Sequence, residues 1–148
     1  GERVDESGPA IREMVKSLGE VTNYMVVPDD LVLLKEALIG MSDREKLDLV
    51  FTSGGTGFSS RDNTPEATLA VIWKQAPGLA EAMRADSLKK TNRAMLSRAV
   101  AGIRNGTLII NLPGSVKAVR ECLAVIMPAL PHGLEILTGR GGECGSAE

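Results

Sequence analysis

The chain has 148 residues, a formal net charge of −2 and 43% hydrophobic residues, which fits one domain with a core of its own. It carries one Trp, one Tyr and two Phe and no basic run, so neither charge nor base stacking indicates a nucleic-acid-binding protein. No apolar run is long enough to span a membrane. Cys122 and Cys144 lie in unlike contexts, which argues against a disulfide and favours a cytoplasmic protein.

The first third of the chain alternates helix and strand signals. Gly8-Pro9 is typical of a helix start, and apolar residues follow at helical spacing up to Gly19. The apolar run Val21–Val27 predicts a strand. A second helix follows Pro28-Asp29-Asp30, with Asp30 as its cap, and Leu47–Thr52 predicts a short strand.

The rest of the chain continues the alternation. The pair Asn105-Gly106 is typical of a two-residue hairpin between strands at Val100–Arg104 and Thr107–Asn111. Helices are predicted after a Thr64 cap, from Gly78 to Leu88, after Ser115, and around Gly133–Leu137.

This order of elements predicts a three-layer α/β domain with a mostly parallel sheet and helices on both faces. Ligands of such sheets bind beyond the carboxyl ends of the strands. The loops Pro28–Asp30, Ser53–Pro65 and Leu112–Ser115 each leave a predicted strand and enter a helix. We therefore expect all three on one rim of the sheet.

Two of these loops suit an anion through their backbone. Ser53-Gly54-Gly55-Thr56-Gly57 can turn amide groups toward a phosphate, although a plain glycine turn would have the same composition. Asn111-Leu112-Pro113-Gly114-Ser115 leads into a helix start, where free amides and the dipole favour an anion. The alternative is a helix capped by Ser115 without a ligand.

Carboxylates in the rim loops suggest a magnesium site. Asp29 and Asp62 have the hard oxygen ligands that Mg²⁺ prefers; the alternative for Asp62 is an Asx turn. Arg61, Arg98 and Lys117 have the charge to meet substrate phosphates, but each also reads as a solvated surface charge.

Two other residues are assigned no catalytic task. His132 is the only histidine and has no metal-binding neighbour in sequence, so it is interpreted as structural. Trp73 is interpreted as a core residue.

The anion-binding loops and the two acids, taken from the residues alone, indicate a magnesium-dependent enzyme that acts on a nucleotide or another phosphorylated compound.

A set of motifs across the chain resembles the MoaB/Mog family, which includes the molybdopterin adenylyltransferases and the G domain of gephyrin. The motifs are "GERVDESGPAI", "VVPDD", "SGGTG", "RDNTPEAT", "PGLAEAMR", "LSRAVAGIR", "GTLIINLPGS", "KAVRECL" and "LPHGLEIL". The resemblance covers residues 1–139 as one molybdopterin-binding domain and leaves 140–148 as a flexible Gly-rich tail. It implies a Rossmann-like fold and a homotrimer, or a hexamer.

The resemblance also implies an activity and a site. AMP would move from ATP to the phosphate of molybdopterin, giving adenylyl-molybdopterin and pyrophosphate. Asp29 and Asp62 would be the catalytic acids and hold Mg²⁺. Nucleotide and molybdopterin would bind two loops, made of Ser53, Gly54, Gly55, Thr56 and Gly57 and of Asn111, Leu112, Pro113, Gly114 and Ser115.

Two further expectations complete the sequence interpretation. Family members begin with a hydrophobic strand ahead of the "GERVDESG" motif, so we expect roughly 10–20 residues with a strand of usual length before Gly1. Without them we expect either a gap in the sheet or another segment that fills it. The alternative function is a catalytically silent pterin-binding or assembly protein of the same family; retention of Asp29 and Asp62 favours the enzyme.

Overall fold

The structure is a computed structural model that describes residues 6–140. Within this range the helices are α1 Ser7–Met14, α2 Leu31–Ile39, α3 Thr64–Val71, α4 Pro77–Leu88, α5 Val116–Ile126 and α6 Leu130–Thr138. The strands are β1 Leu49–Ser53, β2 Lys74–Gln75, β3 Ala101–Arg104 and β4 Thr107–Leu112. A π-helical turn, Gly40–Arg44, extends α2, and a 3₁₀ turn, Asn92–Leu96, follows α4.

The strands form one sheet in the order β1-β4-β3-β2. β1 and β4 are parallel, whereas β4 with β3 and β3 with β2 are antiparallel. The α/β class with helices on both faces is confirmed, and the sheet of the described residues is mixed. The antiparallel share follows from the Asn105-Gly106 connection, because two strands joined by two residues can only run in opposite directions. Asn105 takes the positive φ of 55° that this turn requires.

The strand β4 is buried along its whole length and divides the core into two layers. Ile110 faces a cluster that α1, α4, α5 and α6 complete. Ile109 faces a second cluster with residues of α2 and α3. This alternation is the period of two that a strand imposes on its side chains. It places β4 at the centre of the molecule, with its carboxyl end leading directly into the loop before α5.

The predicted strand at Val21–Val27 is wrong. The structure gives these residues no regular secondary structure, and Met25 and Val26 are 51% and 78% exposed. An apolar run becomes a strand only when a neighbouring strand accepts its backbone hydrogen bonds. Among the described residues β1 is the edge of the sheet. Residues of β1 and of the segment Val21–Val27 line one cleft, which agrees with the expected gap beside the sheet.

Other local expectations had mixed outcomes. Asp30 and Ser115 cap α2 and α5 as predicted. Thr64 is the first residue of α3 rather than its cap. Trp73 is not in the core; it is 64% exposed, and the Arg104 guanidinium lies 5.6 Å from its ring centre, where cation–π attraction holds it against the surface.

No single helix within residues 6–140 is long and apolar enough to cross a membrane; α5 and α6 together would pass by length and composition, but they are bent by 67°. The proposed boundary at residue 139 stays a prediction. Arg140 is bound to the Asp48 carboxylate through two contacts of 2.9 and 2.8 Å. The rest of the predicted tail, with Cys144, lies outside the described residues.

Candidate functional site

Parallel pairing of β1 with β4 brings the two glycine-containing loops together. Ser53 pairs with Leu112 in the register, so both strands end at the same level. The Gly54 amide donates to the Leu112 carbonyl at 3.0 Å, and the Ser53 hydroxyl donates to the Pro113 carbonyl at 2.9 Å. The predicted convergence of these loops at the carboxyl ends of the strands is therefore present in the structure.

The first of these loops depends on its glycines. Gly54 and Gly55 have φ of 88° and 70°, which side chains rarely adopt. A Cβ on Gly55 would lie 2.3 Å from the Thr64 hydroxyl, and a Cβ on Gly114 would lie 3.4 Å from the Gly54 Cα. Glycine is thus required at Gly54 and Gly55 by the backbone conformation, and at Gly55 also by the close approach of Thr64, whereas a Cβ on Gly114 would make only an ordinary contact with the first loop.

Backbone amides in both loops are available to an anion. Gly54 uses its amide within the protein, whereas the amides of Gly55, Thr56 and Gly57 donate to no acceptor among residues 6–140. At the start of α5, the Ser115 hydroxyl accepts from the Ala118 amide at 3.2 Å. Ser115 is therefore a cap, as one interpretation predicted, and the first-turn amides that precede Ala118 stay available for a ligand.

Two of the predicted binding residues act from inside the protein. Asn111 is fully buried, and its amide nitrogen donates to the hydroxyls of Thr52 and Thr68, both at 2.9 Å. Its amide oxygen accepts from the Val100 backbone at 3.1 Å. The Leu112 side chain is also fully buried. These side chains fix the end of β4, and only the backbone of this part of the loop can face a ligand.

A cleft of about 1510 Å³ opens beside these loops. Its lining includes residues of α1, α2 and β1, both apolar and polar. The candidate site is the part of this lining that the predicted loops supply. That part contains Asp29, Ser53, Gly54, Gly55, Thr64, Gly114 and Ser115.

The two predicted acids occupy different positions. Asp29 is exposed and lines the cleft, and its carboxylate contacts no hydrogen-bond or ion-pair partner among residues 6–140. Asp62 is not one of the described residues that line the cleft. One of its carboxylate oxygens accepts from the Ser59 amide at 2.9 Å and lies 2.9 Å from the place a Cβ on Gly57 would take. The Asx turn expected at Asp62 is wrong, because the carboxylate accepts from the Ser59 amide, three residues earlier, and not from a later amide as an Asx turn requires.

The structure shows a role for Arg98 that its sequence context did not. Its guanidinium donates to the Gly57 and Asp62 carbonyls, each at 2.8 Å, and contacts the Glu66 carboxylate through both terminal nitrogens. This hydrogen bond from Arg98 holds the pKa of Glu66 below its ordinary 4.5. The Arg98 guanidinium therefore binds the loop Ser53–Pro65, called the polar loop below, and α3, rather than being available to a phosphate.

Ser7 is a residue that the sequence analysis did not single out. It is buried at the start of α1, and its hydroxyl donates to the Gly114 carbonyl at 2.8 Å. The position of Gly114 is therefore fixed from α1 as well as from the first loop. Only a pairing between residues 107 apart in the chain would have revealed it.

Within residues 6–140 no group of three or more His, Cys, Asp or Glu side chains could hold a metal ion alone. The acids present fit a different arrangement, in which magnesium keeps several waters and is bound by one or two carboxylates plus substrate phosphates. Asp29 has a carboxylate without a protein partner, and Asp62 uses one of its two oxygens.

Comparison with known proteins decides the family. Residues 1–132 match a family described as a probable molybdopterin binding domain. This chain belongs to the MoaB/Mog family. The molybdopterin adenylyltransferase of Helicobacter pylori strain J99 is 47% identical over 138 residues, which cover 91% of this chain and 78% of that protein.

Other relatives widen the comparison. The gephyrin of Dictyostelium discoideum is 42% identical, and the match covers 95% of this chain but only 21% of that protein. The crystal structure of the molybdopterin biosynthesis enzyme MoaB from Thermus thermophilus superimposes with a TM-score of 0.88 at 51% identity, over 94% of this chain and 88% of that one. The MoaB of Pyrococcus furiosus, described as tungsten cofactor synthesizing, superimposes with a TM-score of 0.81 at 38% identity. The match covers 93% of this chain and 88% of that one. This MoaB/Mog chain is accordingly assigned to molybdenum cofactor biosynthesis.

Proposed function

We propose that this MoaB/Mog protein is a molybdopterin adenylyltransferase that uses ATP and magnesium. The observation that carries the proposal is the meeting of two loops with available amides in a cleft that is also lined by an acid without a protein partner. Ser53 and Pro113 join the loops directly, and Asp29 lines the same cleft as Ser53, Gly54 and Ser115. The adenylyltransferases among the relatives, at 39–47% identity, support the same reaction.

In this proposal backbone groups bind the phosphates. Amides of Gly55, Thr56 and Gly57 and those of the first turn of α5 donate to phosphate oxygens, and the α5 dipole adds a positive potential. Such donors are fixed before the substrate arrives, so they stabilise charge that develops in the transition state without reorganising. Binding by backbone also explains why the loop is rich in glycine rather than in lysine.

The reaction exchanges one phosphoanhydride bond for another. An oxygen of the molybdopterin phosphate attacks the α-phosphorus of ATP, a new P–O–P bond forms, and the bond to the β-phosphate breaks, so that pyrophosphate leaves with the electron pair. Phosphoryl transfer of this kind depends on placement and charge neutralisation. Bound magnesium would supply charge neutralisation, held by Asp29, by the remaining oxygen of Asp62 and by substrate phosphates.

The test is a turnover assay with molybdopterin, Mg²⁺ and ATP labelled in the α-phosphate. We expect Asp29→Ala and Asp62→Ala to lower turnover about 10²-fold or more, the scale for loss of one preorganised stabilising group, with thermal stability nearly unchanged. Asp86→Ala is the matched control, because Asp86 lies on α4 in an exposed pair with Lys90. An acid variant that turns over like the unaltered protein removes that acid from the mechanism, and one that unfolds makes it structural.

ATP binding can be tested separately. Calorimetry with Mg-ATP should show heat release, and nucleotide should raise the melting temperature. No heat and no thermal shift at millimolar Mg-ATP would contradict the assignment of the two loops. Binding of molybdopterin without any AMP transfer would instead favour the second candidate, a silent pterin-binding or assembly protein; the match to one fifth of a gephyrin is the observation in its favour.

We further propose that the protein acts in the cytoplasm as a homotrimer. Large apolar side chains that remain exposed in one copy support self-association, since Phe58 is 70% and Met95 65% exposed. Light scattering should give three chains per particle. A monomer at micromolar concentration would contradict this proposal.

A further inference from the structure

One arginine binds both ends of the segment that carries the second acid. The Arg98 Nε donates to the Gly57 carbonyl at 2.8 Å, and one terminal nitrogen donates to the Asp62 carbonyl at 2.8 Å. The Arg98 backbone amide also donates to the Thr56 carbonyl at 2.8 Å. Three carbonyls of the polar loop are therefore bound by a residue that lies 36 to 42 positions away in the chain.

The segment between these two attachment points is closed by its own bonds. The Asp62 amide donates to the Ser59 carbonyl at 2.9 Å, and the Ser59 amide donates to the Asp62 carboxylate at 2.9 Å. The orientation of the Asp62 carboxylate thus depends on a short turn whose ends Arg98 holds. Glu66, on α3, binds the same guanidinium from outside.

The fork of the guanidinium suits this task. Its N–H groups lie in one plane with fixed directions, so it can hold several acceptors at once, whereas a lysine ammonium on a flexible stem cannot reproduce the arrangement. Arg84 steadies the segment that carries Arg98, because its guanidinium donates to the carbonyls of Ser97 and Ala99 at 3.0 and 3.2 Å. The loop is therefore fixed from the β3 side of the molecule.

We infer that Arg98 is a positioning residue for the adenylyl transfer, which sets the place of the Asp62 carboxylate and of the Gly57 end of the amide loop. The inference rests on the proposed function. Arg98 acts through Asp62 rather than on the substrate, since each of its three guanidinium nitrogens already donates to an acceptor within the protein. A reacting group moved by about 1 Å can cost about 10²-fold in rate, so the effect is expected in kcat rather than in KM for ATP.

The experiment compares Arg98→Lys with a matched control, Arg104→Lys. Arg104 also donates to one carbonyl, that of Val71 at 2.8 Å, and pairs with one carboxylate, that of Asp43, but neither belongs to the polar loop. We expect kcat to fall about 10- to 100-fold in Arg98→Lys, with KM changed less than about 3-fold, and both constants to stay near their original values in Arg104→Lys. Equal effects of the two replacements would overturn the inference.

A double-mutant cycle with Asp62→Ala separates positioning from general stability. If Arg98 acts through Asp62, Arg98→Lys should cost little in the Asp62→Ala background, because coupled residues are strongly non-additive. Full additivity would overturn the inference. Glu66→Gln serves as a second variant should Arg98→Lys fail to fold. It keeps both carbonyl bonds and should lower kcat by a smaller factor, and an unchanged kcat would count against the inference.

Hydrogen exchange gives a readout that does not need activity. The amides of Ser59 and Asp62 should exchange faster in Arg98→Lys than in the unaltered protein, while amides of β4 keep their protection. Unchanged exchange at Ser59 and Asp62 overturns the inference even if turnover falls. If the unaltered protein transfers no AMP at all, the proposed function is wrong, and the exchange measurement still shows whether Arg98 holds the loop.

Discussion

Gly57→Ala should move the Asp62 carboxylate without deleting it. The added Cβ would lie 2.9 Å from an Asp62 carboxylate oxygen, where ordinary contacts begin at 3.4 Å. The oxygen must therefore retreat by 3.4 − 2.9 Å, or about 0.5 Å. Gly57 is not among the described residues with positive φ, so alanine meets no conformational penalty there and the effect is confined to this contact.

The displaced oxygen is the one that accepts from the Ser59 amide at 2.9 Å. Lengthening or breaking a hydrogen bond to a charged group costs up to about 1.5–3 kcal/mol. A shift of this size, compared with about 10²-fold for 1 Å, predicts a fall in kcat of about 10-fold. We expect little change in KM for ATP, because the amides that bind phosphate keep their places.

The assay is steady-state adenylyl transfer together with urea denaturation. Gly78→Ala is the matched control, because Gly78 lies in the first turn of α4 with no atom within 4 Å of its added Cβ, and it should leave turnover unchanged. Unchanged kcat in a folded Gly57→Ala protein would show that the position of this carboxylate is unimportant. A fall in the free energy of unfolding of much more than about 3 kcal/mol would show that the turn is mainly structural.

Further predictions concern stability. Gly55→Ala should cost more than about 2 kcal/mol in urea denaturation, from its left-handed backbone and the contact with the Thr64 hydroxyl. Ser115→Ala should cost about 1 kcal/mol in thermal denaturation because α5 loses its cap. Asn111→Asp should cost about 3 kcal/mol or more by the same assay, since it buries a charge and removes two donated hydrogen bonds. Burial raises the pKa of Cys122 above its ordinary 9.0. The folded chain then keeps a proton that the unfolded chain releases. The free energy of unfolding is therefore unaffected well below pH 9.0 and falls as pH rises through it. Cys122→Ser should reduce that fall when the free energy of unfolding is measured by denaturation at a series of pH values.

Features with local signals were predictable from the sequence. The Asn105-Gly106 turn and the Ser115 cap depend on a few adjacent residues, and both are present. The meeting of the two loops was also predictable, because it follows from parallel strands that end at one rim. The antiparallel pairing of β3 with β4 follows from that same turn, whereas the short edge strand β2, which joins β3, was not predicted.

Features that need distant partners were missed. Val21–Val27 has the composition of a strand but no pairing partner among the described residues, and Trp73 lies under Arg104 at the surface rather than in the core. Arg98 looked like any surface charge because its acceptors are more than 30 positions away. Composition gives the residue types of a site, whereas the contacts that hold the site depend on the whole fold.

The pairing of β1 with β4 also determines when the site can appear during folding. β3 and β4 close over two residues and can form early, but Phe51 must find Ile110, 59 positions along the chain. The entropy cost of closing a loop grows with its length, and non-local pairings slow folding. The two loops meet only after this step, so a partly folded chain can hold the hairpin and still bind no nucleotide. Substrate that binds the joined loops would then stabilise the folded chain against unfolding, because it binds only while β1 and β4 are paired.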